Sequence, residues 1–378
     1  MPDRVDLLVI GGGITGQVAA LTAARAGARV AIVDQGVGSG SGANAGSLHV
    51  QMQSRFLRLN PHLADNLESS LPLYLAAVKA WDALDTDLGG VEMTREGGLM
   101  LAESEAQMAF LRQKAERESR KGLDVDILDR DALHTIAPYL SPDIQGAEIC
   151  RDEGKVNPLV ANRRLRDLLA SLDVAYCQER IHTIEEGAAG SLVRGERGDH
   201  AADHVVVAAA WGAGALVPAL GLAIPTPPEP LHMNITEAGE YAIRHLVQHA
   251  ERSITLKQFR SGQVVIGGGW PADGGSGEKT ARVKLSSMAG NVALAHRIAP
   301  GIKGLRILRT WAGYNTPIDG KATIGPARPG GRVHLALPGD AGYTLGPIVG
   351  QCAAAVALGF TPPIDVAQFA PSRWREAA

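Results

Sequence analysis

Apolar positions along the chain switch between continuous runs and helical spacing, and those switches outline the elements. Leu7 to Ile10 is an unbroken apolar run; Ile14, Val18 and Leu21 then recur on one helical face up to Gly27, and a second run begins at Val30. Strand, helix and strand in that order predict a βαβ unit, with Gly27 closing the helix. Ser104-Glu-Ala-Gln107 reads as a capping box opening a charged helix that runs to about Lys121 and stops at Gly122. "VNPLVANRRLRDLLASL", Val156 to Leu172, puts Pro158 in the first turn of an amphipathic helix with Val160, Leu165 and Leu169 inward, and a strand follows around Val174–Cys177. Val205–Ala209 is again continuous and apolar, as a parallel strand covered on both faces requires. Past the proline-rich "PTPPEP", Pro225 to Pro230, the stretches "SITLKQF" and "QVVIGGGW" alternate like antiparallel strands, and about Thr280 to Ile298 reads as a helix. No internal repeat, heptad array or low-complexity tract interrupts this order.

At 378 residues the chain exceeds what one core usually fills, so about two domains are expected. A net charge of −3 with 20% charged residues gives no electrostatic case for a nucleic-acid partner. Cys150, Cys177 and Cys352 stand singly without C-x-x-C spacing, which predicts reduced thiols rather than disulfides, zinc or a cluster, and a cytoplasmic protein. The N-terminus carries Asp3, Arg4 and Asp6 and meets glycines after four apolar residues, too short a run for an export signal. Two long uncharged stretches, Val205–Ile224 and Ala341–Pro362, are read as a buried strand with a short helix and as a glycine loop with a buried helix, because glycines and prolines interrupt both. No transmembrane segment is expected.

The 45 glycines gather beside strand-like runs. Gly11-x-Gly13-x-x-Gly16 falls between a strand and a helix, the setting in which such spacing builds a dinucleotide site. The first glycine turns the chain, the second admits a pyrophosphate and the third lets helix and strand pack closely. Amides at the helix start then hold phosphate oxygens. Asp34, 18 residues past Gly16 at the end of the next strand, is placed for an adenosine ribose and would repel a 2′-phosphate, which disfavours NADP. "VVIGGGWP", Val264 to Pro271, opens the same way but lacks the third glycine and has proline where a helix should begin, so it reads as a sheet strand. Residues 1–34 alone leave FAD and NAD both open.

The residues after Asp34 narrow the choice. "GSGSGANAGSLHVQ", Gly38 to Gln51, packs small residues after the acidic strand end, and "TWAGYNTPIDGKATIGP" precedes "VHLALPGDAGYTLGP" near the C-terminus. In these motifs and their order, over nearly the whole chain, the sequence resembles the D-amino acid oxidase family of flavoproteins, which includes glycine and sarcosine oxidases. The resemblance implies FAD, held first at Gly11, Gly13, Ile14, Thr15, Gly16, Asp34 and Gln35, and the late glycine loop holds no cysteine of the kind by which sarcosine oxidases attach theirs, so the flavin is expected to be noncovalent. It implies a loop along the pyrophosphate formed by Ser41, Gly42, Ala43, Asn44, Ala45, Gly46, Ser47 and Leu48. Ile181 would lie against the adenine, Ala209 and Trp211 would end the motif at Val205–Trp211, and Gly339, Asp340, Ala341, Gly342, Tyr343, Thr344 and Leu345 would approach the flavin. Within the family, "NAGSLHVQ" and "GDAGYTLGP" are most similar to β subunits of bacterial opine oxidases and of proline or hydroxyproline dehydrogenases, which work with partner subunits.

The implied reaction is oxidation of a C–N bond by hydride transfer to flavin N5, with opines, D-amino acids and proline-like secondary amines as substrates. A substrate carboxylate suits arginine, but Tyr314 and Asn315 occupy the positions after W-x-G where the family often carries one. Arg309 is the nearest substitute, or else a salt-bridging residue of the sheet; Arg252 and Arg260 are weaker candidates. His49 would touch substrate or flavin, or bond structurally. Asp340 would attract a cationic amine or only shape a turn, and Tyr314 would line the pocket or pack between domains. His245 and His249 read as surface residues, and no metal site is expected. The expected fold is α/β: a Rossmann-like FAD-binding domain of glutathione reductase type (1–84, 146–221 and 309–378) interleaved with an antiparallel-sheet α+β substrate domain (85–145 and 222–308). Two rival functions remain beside a multi-subunit dehydrogenase: a self-sufficient, peroxide-producing oxidase and a non-catalytic FAD-holding scaffold.

Overall fold

A computed structural model describes residues 4–275, 278 and 280–375, so Asp3 and the last three residues lie outside it. Two eight-stranded sheets organise the chain. In the first, the central order is Thr323–Pro326, Val333–Leu337, Asp199–Val207, Arg4–Ile10, Val30–Asp34, Ala175–Gln178. From Val333–Leu337 to Ala175–Gln178 the neighbours are parallel, and Thr323–Pro326 adds an antiparallel edge. The unbroken apolar runs follow from burial on both faces: Leu7, Val9, Ile32 and Val206 enter one core, while Leu8, Ile10, Val33, Val205 and Val207 enter the other.

Helix Ile14–Arg25 packs beneath helix Gly342–Ala357, so residues from both ends of the chain complete one core. Their backbones nearly touch. A side chain at Gly350 would place its Cβ 2.4 Å from the carbonyl oxygen of Thr15, so only glycine fits there.

The second sheet runs Ile307–Asn315, Glu229–Ala238, Gln263–Gly267, Thr255–Gln258, Leu246–His249, Gly98–Ala102, Gly146–Cys150, Val125–Leu128. Neighbours are antiparallel except for Leu246–His249 beside Gly98–Ala102. One face carries Leu99, Leu101, Val247, Leu256, Val264 and Ile266 against helix Leu285–Ile298. The other face, with Met100, Gln248, Thr255 and Lys257, looks toward the first sheet's glycine loops. Strand Ile307–Asn315 belongs to this sheet, so a division at residue 309 cuts a continuous strand.

Most element boundaries match the pattern. Helices form at Glu105–Arg120, where Ser104 Oγ accepts from the Gln107 amide, and at Pro158–Ser171, capped by Asn157. The last long helix before the late loop is shorter than expected, beginning at Leu285 rather than near Thr280. Val205–Ile224 folds as the end of strand Asp199–Val207 followed by short helical turns broken at Pro218 and Gly221. Among the described residues no helix is long and apolar enough to cross a membrane.

His245 and His249 correct the surface reading. They lie at and within a central strand with 7% and 3% of their surface exposed, because sheet position overrides the local polar composition. Burial above all pushes both imidazoles down to about 4. His245 Nδ1 bonds Tyr139 Oη at 2.9 Å, and His249 Nδ1 accepts from the Glu251 and Arg252 amides.

Candidate active site

One cleft joins the first glycine bend, the small-residue loop, the late glycine loop and the open face of the second sheet. At the bend, Gly12 donates to Asp34 Oδ2 at 2.6 Å and Ile14 to Ser41 Oγ at 2.9 Å. Among the described residues, no protein acceptor takes the amide protons of Gly13 and Thr15, which stand at the start of helix Ile14–Arg25. Gly16 has no room for a side chain: its Cβ would sit 1.9 Å from the Gly11 carbonyl oxygen. Asp34 also accepts from Gly36 at 2.7 Å, which leaves acceptor capacity on a carboxylate lining the cleft.

Three clamps fix the loop after the acidic strand end. Trp211 Nε1 donates to the Gly38 carbonyl at 3.0 Å, Trp311 Nε1 to the Ala43 carbonyl at 2.8 Å, and Asn162 Nδ2 to the Ser41 carbonyl at 2.9 Å. Tyr343 in turn donates to Asn162 Oδ1 at 3.2 Å, tying this loop to the late one. The late loop leads directly into helix Gly342–Ala357, whose N-terminal end faces the cleft and carries partial positive charge. His49 lies between them, its amide donating to Thr344 Oγ1 at 3.0 Å.

Below His49 is a buried polar clasp. Glu153 accepts from the Val50 and Gln51 amides, from Gln51 Nε2 and from Gln248 Nε2, at 2.8 to 3.1 Å. Burial pushes its carboxyl up to about 7 in spite of these bonds. Lys114 joins Gln51 Oε1 (3.0 Å), Glu118 (2.9 Å) and Glu148 (2.8 Å), while Glu118 accepts from the Met52 amide. Residues 50–52, just past the small-residue loop, are thus pinned to the second sheet and its covering helix.

Of the residues singled out in the sequence, Gly11, Gly13, Ile14, Thr15, Asp34, Gln35, Ser41, Ala43, Asn44, Ala45, Ser47, His49, Ala209, Trp211, Tyr314, Gly339, Asp340, Gly342, Tyr343 and Thr344 line this one cleft. Gly16, Gly42, Gly46, Leu48 and Leu345 do not; all of these but the exposed Gly42 are buried behind the wall. Ile181 is also outside, packed with Val193 and Val205 in the core on the far side of the first sheet. Arg309 is an exposed residue four positions short of Gly313 and outside the cleft. Arg252 reaches the rim but is held by Glu103 at 2.6 Å, and Arg260 pairs with Glu96 away from the cleft.

Asn315, at a position after W-x-G where an arginine would suit a carboxylate, bridges two acids: its Nδ2 donates to Asp340 Oδ1 at 2.5 Å and to Glu229 Oε2 at 3.0 Å. Tyr314 is buried, 5.7 Å from the Trp211 ring, and donates to the Glu278 carbonyl. Burial and the nearby Lys257 push His49 down to about 3, which favours the neutral imidazole, and among the described residues its Nδ1 is unpartnered, 3.9 Å from Glu153. Cys177, Glu179 and His200 come within ligand reach of one another, unforeseen from their spacing, and hydrogen bonds among them account for the grouping. Lys257 was missed because it shares the polar phase of "SITLKQF" with Thr255, opposite Ile254 and Leu256, and Glu153 because it lies in the turn before the short strand Gly154–Lys155, where no periodicity marks it.

The family model described as FAD dependent oxidoreductase (DAO) matches residues 6–356. The chain belongs to the DAO family. Its members are FAD-dependent oxidoreductases acting on amino acids and amines, and this chain is one of them. Over 321 residues it is 27% identical to the B subunit of opine oxidase from Rhizobium meliloti, covering 82% of each chain. It is 27% identical to glycine oxidase of Bacillus licheniformis over 372 residues, covering 95% of this chain and 94% of that one. The crystal structure of glycine oxidase from Geobacillus kaustophilus superposes with a TM-score of 0.86 at 21% identity, covering 98% and 99% of the two chains. That superposition supports the α/β fold expected from the motif order.

Proposed function

We propose that the chain oxidises the C–N bond of an opine, a D-amino acid or a proline-like secondary amine, as the catalytic member of a multi-subunit dehydrogenase. The observation that carries the reading is the single cleft running from an amide-lined, Asp34-flanked bend to the face of the second sheet. Its first part fits a dinucleotide: the free amides of Gly13 and Thr15 suit a pyrophosphate, and Asp34 suits ribose hydroxyls. FAD, when bound, supplies the acceptor at which the hydride from the carbon α to the amine arrives.

The protein's part is orientation and exclusion of water. Ser41, Ala43 and Gly38 are held by the clamps above, so the loop beside the cofactor is pre-formed. Thr344 and His49 close the gap between this loop and the late one, and neutral His49 adds no charge that would repel an ammonium substrate. Asp340, kept in place by Asn315, puts negative charge at the late loop, where it favours a cationic amine on approach. No cysteine lies in the late glycine loop, which supports noncovalent FAD.

Similarity to the opine oxidase B chain supports the multi-subunit reading, while similarity to glycine oxidase over nearly the whole chain favours a second one, a self-sufficient oxidase. Anaerobic mixing of the yellow protein with opines, D-amino acids and proline tests the chemistry. Bleaching of the flavin band by any of them is expected and would exclude the scaffold role, and its absence across the panel would overturn this substrate assignment. Steady peroxide production in air selects the oxidase, and turnover only with a dye or partner subunits selects the dehydrogenase.

A further inference from the structure

Three lysines are buried among the described residues: Lys114, Lys155 and Lys257. Lys114 has Glu118 and Glu148, and Lys155 has Glu96 at 3.5 Å. Lys257, with 0% of its surface exposed, has no carboxylate in ion-pair range among the described residues; its ammonium donates to Ser47 Oγ at 2.8 Å. It projects from the cleft side of strand Thr255–Gln258, with Val265 as its cross-strand neighbour. Among the described residues, the charged and titratable groups around it are Lys155, on the short strand that pairs with Ser47, and His49, two residues on, with Glu153 behind the imidazole. Burial first and Lys155 second push Lys257 down to about 7.

While Lys257 is protonated the hydrogen bond has one direction: an ammonium carries three donors and no acceptor, so Ser47 Oγ accepts from it. The hydroxyl's own proton is then left to donate elsewhere, and Ser47 stands half-buried in the cleft wall. A lone buried ammonium is costly unless an anion answers it. Among the described residues that line the cleft, the other cation, Arg252, is already held by Glu103, and Tyr314 and Asn315 are neutral.

We propose that Ser47, backed by Lys257, recognises the carboxylate of the substrate, with Ser47 donating the hydrogen bond and Lys257 supplying the charge. Lys257 is a positioning residue in this arrangement, and the pair selects amino acids and opines over amines that lack a carboxylate. The inference rests on the functional reading above. An arriving carboxylate stabilises the charged lysine, so above pH about 7 binding must take up a proton. Carboxylate affinity is therefore level at low pH and falls roughly tenfold per pH unit above 7, until it reaches the raised value of the complex.

The test uses the FAD-loaded chain, with acetate and benzoate titrated by their perturbation of the visible flavin spectrum from pH 6 to 9. The wild type is expected to show the pH slope just described. Lys257→Met and Ser47→Ala should bind about ten- to a hundredfold more weakly, Lys257→Met without the slope, and Ser47→Thr should recover most of the affinity. Equal affinity in Lys257→Met and wild type, or a wild type without a slope, overturns the proposal, and the second outcome needs no variant to fold. Amino acids that bleach the flavin while carboxylate binding ignores Lys257 would refute the anchor and keep the function. Carboxylate binding that depends on Lys257 in a protein that no amine or amino acid bleaches would do the reverse.

Discussion

Replacing Lys114 by methionine tests whether the clasp beneath the cleft is held by charge. The lysine is 2% exposed and bonded to Glu148, Glu118 and Gln51 at 2.8 to 3.1 Å, and its removal leaves two buried carboxylates without a counter-charge. Breaking a buried ion pair on one side costs about 3–5 kcal/mol. With an unfolding entropy of roughly 2.1 cal/mol/K per residue, a chain of this length should lose about 4–6 °C in Tm. The pH dependence carries the sharper signal. Burial, ahead of the opposing pull of Lys114, already holds the Glu148 carboxyl well above its usual value. An acid raised in the folded state binds more protons there than in the unfolded chain, so stability falls as pH rises toward the folded value. Without Lys114 that effect grows, and the loss of Tm should be larger at pH 8 than at pH 5. Differential scanning fluorimetry at both pH values suffices as the assay. A deficit under 1 °C, or one that shrinks as pH rises, would refute the account of the clasp as charge-held.

Gly16→Ala should yield protein that retains less than a tenth of its FAD, read from the ratio of 450 nm to 280 nm absorbance, because its Cβ overlaps the Gly11 carbonyl and forces the bend open. Arg309→Ala should leave the rate of flavin reduction within about twofold of wild type, since the residue is exposed and outside the cleft; a loss above tenfold would return it to the site. Acid precipitation should release all the yellow colour into the supernatant, and colour retained in the pellet would show a covalent bond.

The first βαβ unit and its acidic strand end were legible because local periodicity and a short-range motif specify them, and the same holds for the late loop before its apolar helix. Where long-range pairing decides, sequence reasoning lost its grip. His245 and His249 sit in a polar stretch, yet the strand that carries them is interior to a sheet. Glu153 becomes a keystone only when Gln51, about a hundred residues earlier, and Gln248, about as far beyond, are folded onto it. Lys257 looks like a solvent-facing residue in an alternating strand until the glycine loop carrying Ser47 covers it.

The close seating of helix Gly342–Ala357 on helix Ile14–Arg25 has a consequence for how the chain is made. The nucleotide-facing core draws on residues more than three hundred positions apart, so its early strands wait, incomplete, until helix Gly342–Ala357 has left the ribosome. Such high contact order slows folding and leaves apolar surface bare in the interval, which makes the nascent chain a natural client for chaperones. It also means that trimming the carboxyl end back past Gly350 removes a wall of the core and not a dispensable tail.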